Sequence, residues 1–164
     1  MIIDHQCVDL GQVPLEWINA VRANLRVWYG HTSHGSQPIS GMEVFNAPPY
    51  HFSPGGDSGG LSLQEDGGVD LGHNGDLAWA DRTREVLNAA GNDRNVIVWS
   101  WCGGASDNTV EGINAYLNAM NTLESQYPGA RFVYMTGHLD GTGLEGGLHR
   151  SNEQIRAYCR ANNK

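Results

Sequence analysis

Two hydrophobic periods take turns along this chain. Over residues 14–25, Leu15, Ile18, Val21 and Leu25 recur at helical spacing behind Pro14, which predicts a helix. Arg26-Val27-Trp28-Tyr29 then reads as a short buried strand that stops abruptly at Gly30. From about Gln37 to Gly75 neither period persists. Pro48-Pro49, Pro54-Gly55-Gly56, Gly59-Gly60, Gly67-Gly68 and Gly72 predict a long irregular Gly-rich loop, with room for a strand near Leu61-Ser62-Leu63. Long loops of this kind inside a domain are usually functional.

Regularity returns at Asp76. Leu77, Trp79, Val86 and Leu87 pattern a helix that Gly91 would end. Residues 95–101 form a clear strand pattern that stops at Cys102-Gly103-Gly104. Val110, Ile113, Leu117, Met120 and Leu123 make the stripe of another helix, with Ser106 or Asp107 as its cap and Pro128-Gly129 at its close. Arg131-Phe132-Val133-Tyr134-Met135 predicts a third strand, and residues 148–162 a last amphipathic helix.

Strands alternating with helices imply an α/β fold: a three-layer sandwich with a mainly parallel sheet, right-handed crossovers and helices on both faces. The whole chain, 1–164, reads as one domain, with the Gly-rich loop of about 37–75 as an insertion. Three clear strands are few for such a sheet. A further strand is expected just where the chain reaches Lys164, so the expectation is a domain lacking its C-terminal strand.

Composition narrows the function. At 164 residues and 17.8 kDa the chain can bury a sizeable core. Ten basic against 18 acidic residues give a net charge of -8, which argues against a nucleic-acid partner because polyphosphate would be repelled. No apolar run approaches the length of a membrane span, so no membrane partner is expected. With 22 Gly the chain is no plain helix bundle. Cys7, Cys102 and Cys159 fit neither a disulfide framework nor a zinc motif and allow at most one bridge. Cys102 reads as a small buried residue rather than a reactive thiol. Met-Ile-Ile-Asp-His is not a signal peptide, and secretion after loss of a leader stays open. Oligomeric state has no signal in the sequence.

In open parallel sheets, ligands bind beyond the carboxyl ends of the strands. That rule selects residues 30–36, 102–106 and 137–140, which together collect three His, several small residues and an Asp. Ser33 can expose a nucleophilic hydroxyl at a strand-to-helix turn, with Ser36 as the other choice; either could instead cap a helix. Gly103 and Gly104 offer close-approach backbone donors for an oxyanion, or simply a turn. His138 could act as general base with Asp140 orienting it, or be a strand-end His beside an Asx turn. His31 and His34 complete the cluster as substrate or oxyanion contacts. With His138 and Asp140 they also permit a metal reading, although no metal-binding motif occurs and no cofactor is expected. Asp57, Asp66, Asp70 and Asp76 do not match EF-hand spacing and read as a solvated loop. Gly56-Asp57-Ser58-Gly59-Gly60 imitates the active-site string of trypsin-like proteases, an all-β family that the strong helices here exclude.

A strand ending in Gly-x-x-Ser, followed by helices and strands with Gly-rich strand ends, resembles the SGNH (GDSL-like) hydrolase superfamily. Tyr29-Gly30-His31-Thr32-Ser33-His34-Gly35-Ser36-Gln37, Trp99-Ser100-Trp101-Cys102-Gly103 and Tyr134-Met135-Thr136-Gly137-His138-Leu139-Asp140 are similar to a bacterial branch of it. The resemblance implies a flavodoxin-like sheet, Ser33 as nucleophile and an oxyanion hole near Gly103 or Gly104. It also implies an Asp-x-x-His string, which is missing here, so the base is either His138 or a residue beyond Lys164. Hydrolysis of an acyl ester, of a small molecule or carbohydrate, is the leading expectation, with Tyr50 and Trp79 as sugar-stacking aromatics. The alternatives are a non-catalytic domain that binds glycan or protein, and a metal-dependent hydrolase using His31, His34 and His138.

Overall fold

A computed structural model describes residues 2–164. Five strands form one all-parallel sheet: β1 (Arg26–Gly30), β2 (Phe52–Ser53), β3 (Leu61–Asp66), β4 (Val96–Trp99) and β5 (Arg131–Val133). Their spatial order is β2-β3-β1-β4-β5. Five helices connect or flank them: α1 (Leu15–Asn24), α2 (Ser36–Val44), α3 (Ala78–Asn88), α4 (Val110–Gln126) and α5 (Gly147–Ala161).

The sheet is covered on both faces because its strands alternate. Trp28, Ile97 and Trp99 point to one side, where they join Trp79 of α3, Ile113, Tyr116 and Leu123 of α4, and Ile155 of α5 in the larger core. Tyr29 and Leu63, with Val27 and Val98, point to the other side and meet Ile39 and Met42 of α2. The result is an α/β fold of three layers. Aromatic edges knit the larger core: Trp28 and Trp99 meet at 4.7 Å between centroids, and Trp101 and Tyr116 at 5.0 Å. Inside it, the Trp99 indole N–H donates to Thr83 Oγ1 at 2.8 Å.

Three expectations need correction. The Gly-rich stretch is not one loop, since it holds α2, β2 and β3. Pro38 does not stop α2, because it sits in the first turn, where the backbone N–H has no helical partner in any case. The α4 cap is Thr109, whose Oγ1 accepts from the Gly112 N–H at 3.0 Å, rather than Ser106 or Asp107. Trp79 is wholly buried, so it cannot stack on a sugar; Tyr50 is half-buried. The three cysteines are all free. β5 is an edge strand that pairs with β4 alone among the described residues. No helix among the described residues is long and apolar enough to cross a membrane.

Candidate functional site

β1 lies between β3 and β4, so the strand order reverses at β1, and the carboxyl end of β1 is where ligands bind in sheets of this kind. The backbone ties the neighbouring strand ends together there. His31 N–H donates to the Asp66 carbonyl at 2.9 Å, Ser100 N–H to the Gly30 carbonyl at 3.0 Å, and Leu71 N–H to the Ser100 carbonyl at 3.2 Å.

Ser33 stands in the turn between β1 and α2. Its φ is +42°, in the left-handed region. That conformation costs a non-glycine residue roughly 1–2 kcal/mol and needs a frame to hold it. The frame is visible. Tyr29 donates its hydroxyl to the Gly35 carbonyl at 2.7 Å, and its ring stacks on His31 at 4.9 Å. Burial pushes the Tyr29 phenol above its ordinary range, with a hydrogen bond from Ser100 opposing and the charge of Glu65 adding to the rise. Gly35 packs so closely that a Cβ there would lie 2.3 Å from both His31 Cβ and Ser100 Oγ. Ser36 closes the turn by donating its hydroxyl to the Ser33 carbonyl at 2.9 Å. The Ser33 side chain itself is exposed, and no hydrogen bond among the described residues engages its hydroxyl.

The three histidines have different surroundings. His31 is buried at 7% exposure, with Nε2 3.0 Å from Glu65 Oε2, so it supports the turn from beneath. His34 is exposed and lies against His138, ring centroids 4.5 Å apart. Its Nδ1 is 3.9 Å from Cys102 Sγ. His138 is half-buried, and its Nδ1 donates to the Leu139 carbonyl at 3.0 Å. A carbonyl can only accept, so Nδ1 carries the hydrogen of this bond, which in a neutral imidazole puts the lone pair on Nε2. That Nε2 is buried and has no partner among the described residues.

Asp140 does not orient His138. It is exposed and turned to its own loop, accepting from the Thr142 N–H at 2.9 Å and hydroxyl at 2.6 Å. These bonds, with a smaller one from Ser106, hold its carboxyl below the ordinary range. The Leu139 carbonyl takes the tautomer-fixing role that an aspartate was expected to play. No hydrogen bond joins Ser33 to His138 among the described residues, although His34, next to Ser33, touches the His138 ring.

Gly103 is exposed with open space around it, while Gly104 is buried, its Cβ position 3.2 Å from the Leu71 carbonyl oxygen. The N–H groups of both are free of intramolecular partners among the described residues. Among the described residues no three His, Cys, Asp or Glu side chains group as a metal site would require, and His31 is committed to Glu65. Two acids of the supposed solvated loop are engaged: Asp66 binds Arg82 Nε at 2.7 Å, and Asp70 accepts from Thr32 Oγ1 at 2.7 Å. Ser58, in the protease-like string, precedes β3 and so lies at the opposite end of the sheet from Ser33.

Sequence reasoning read Cys102 as a small buried residue, whereas it is half-buried and contacts a histidine 68 residues away in the chain. It also passed over the exposed pair His73 Nε2 and Asp107 Oδ2, 3.3 Å apart. No local spacing announces either contact. No protein-family model matches this chain, nor does any curated protein or solved structure in the comparisons made.

Proposed function

We propose that this chain is a serine-nucleophile hydrolase of the SGNH type, acting on an acyl ester of a small molecule or carbohydrate. One observation carries the reading. Ser33 holds a left-handed φ of +42° on a strand–turn–helix corner at the sheet's reversal point, with its hydroxyl exposed. Strain at such a corner is a hallmark of a presented nucleophile. The sheet agrees with the resemblance. Without the two-residue β2, the order β3-β1-β4-β5 renumbers in chain order to 2-1-3-4, the start of the flavodoxin-like arrangement.

In this reading Ser33 Oγ attacks the ester carbonyl and its proton passes to His138 Nε2. The unpaired N–H groups of Gly103 and Gly104 receive the developing oxyanion. The His then returns the proton to the leaving alcohol, and water releases the acyl group from Ser33 by the same steps in reverse.

The test is incubation with a fluorophosphonate followed by adduct mapping. An adduct on Ser33 is expected, together with loss of p-nitrophenyl ester hydrolysis in Ser33→Ala. A folded protein that takes no adduct overturns the reading. It would favour the non-catalytic binding domain, for which the missing Ser33–His138 hydrogen bond speaks.

A further inference from the structure

Cys102 and His34 belong to different strand ends. Cys102 follows β4 and His34 follows β1, yet Cys102 Sγ comes to 3.9 Å from His34 Nδ1. That is within reach of a sulfur hydrogen bond. Either the thiol S–H donates to Nδ1 or a protonated Nδ1 donates to the sulfur, and both arrangements place the imidazole where it can take the thiol proton. The ester reading gives Cys102 no role and takes His34 only as a substrate or oxyanion contact.

A thiol reacts as its thiolate, and a neighbouring imidazole promotes that form by taking the proton. The geometry leaves room for the exchange. His34 is exposed, so water can solvate the imidazolium, and its other contact is the ring of His138 rather than a fixed cation. Among the described residues no histidine contacts either of the two other cysteines. Cys7 is exposed and Cys159 is buried, and burial pushes the Cys159 thiol above its ordinary range.

We propose that Cys102 and His34 form a thiol–imidazole pair that makes Cys102 the electrophile-reactive cysteine of this chain, a covalent modification site for soft carbon electrophiles at the carboxyl end of β4. In the step itself the S–H proton passes to His34 Nδ1 and the sulfur lone pair attacks the electrophilic carbon. A C–S bond forms, and the leaving group departs with its bonding pair. His34 then gives up its proton to solvent. No oxidant or reductant is needed.

The three cysteines supply their own control. Exposure alone ranks Cys7 ahead of half-buried Cys102. The pair predicts the reverse order. The experiment is brief treatment of the folded chain with substoichiometric iodoacetamide at neutral pH, followed by peptide mapping. Cys102 is expected to be carbamidomethylated faster than Cys7 by at least about tenfold. His34→Gln is expected to slow Cys102 by about the same factor and leave Cys7 unchanged. Faster labelling of Cys7 in the unaltered chain overturns the proposal, as does an unchanged Cys102 rate in a folded His34→Gln protein. Labelling of Cys159 reports unfolding of that variant, in which case the Cys102 and Cys7 rates in the unaltered chain decide alone. Ser33→Ala is expected to keep the Cys102 rate, so this result and the ester reading fail separately.

Discussion

The imidazole of His34 lies against that of His138 at 4.5 Å between centroids, with 34° between the ring planes. The contact joins the turn after β1 to the loop after β5, two strands separated in the sheet by β4. Cys102, past the end of β4, touches the same His34. Three strand ends therefore converge on one side chain, beside the residue with the strained backbone.

That strain predicts opposite effects on two properties. Ser33→Gly removes the left-handed penalty of roughly 1–2 kcal/mol but adds unfolded-state entropy of about 0.4–1 kcal/mol. The variant should be as stable as the parent or up to about 1.6 kcal/mol more stable in urea unfolding, while ester hydrolysis disappears. A loss of stability would mean that the serine side chain holds the turn.

Gly35→Ala should damage both. The new methyl would lie 2.3 Å from His31 Cβ and Ser100 Oγ, so the turn must move. A destabilisation of about 1–3 kcal/mol is expected, read from the denaturation midpoint, with loss of any Ser33 labelling by fluorophosphonate.

The core makes a prediction independent of any function. Thr83→Val keeps the side-chain shape but removes the acceptor for the Trp99 indole N–H, both groups being buried. Leaving that donor unpaired should cost about 1–3 kcal/mol. A near-neutral result in thermal or urea unfolding would show that the N–H finds another partner.

Asp140 gives a pH test. Its carboxyl is held below the ordinary range mainly by the Thr142 hydroxyl and N–H. Such a group adds stability above its unfolded pKa, and the contribution is lost as pH falls through the lower, folded value. Thr142→Val should raise the Asp140 titration midpoint part of the way back, because the backbone N–H donor remains. Carboxyl chemical shifts followed against pH would read this, and an unmoved midpoint would contradict the assignment. Because Asp140 does not face His138, the same substitution should leave ester hydrolysis unchanged.

Most of the fold was legible in the sequence where apolar residues were dense. β1, β4, α3, α4 and α5 each carry a run or stripe that needs no tertiary information. β3 was only glimpsed, because Leu61-Ser62-Leu63-Gln64-Glu65-Asp66 turns polar halfway and sits between glycine pairs. α2 was lost in the supposed loop because its nine residues sit just before the Pro48-Pro49 and Gly-rich runs that set the reading of the whole stretch. The apolar stripe of α1 was legible, but its burial was not. Leu15 and Trp17 are more than half exposed, and Val21 is exposed at 37%.

The site was legible by position and illegible by contact. The rule that ligands sit past strand ends located Ser33, His34, Cys102 and His138 in one region. Which of them touch depends on rotamers and loop paths. His138 and Asp140 are two residues apart and face different partners, while Cys102 and His34 are 68 apart and meet.

The central position of β1 also bears on how the chain is made. β1 pairs Arg26 with Ser62 of β3 and Val27 with Val96 of β4, so its second neighbour is 69 residues further along. At about 5–20 residues per second of synthesis, that neighbour leaves the ribosome roughly 3–14 s later. Through that interval Trp28 and Tyr29 have no complete sheet to enter, and a holding chaperone would find its target there. The strand that carries the Ser33 turn therefore precedes both of its sheet neighbours in the chain and is paired on both edges only once β4 is made.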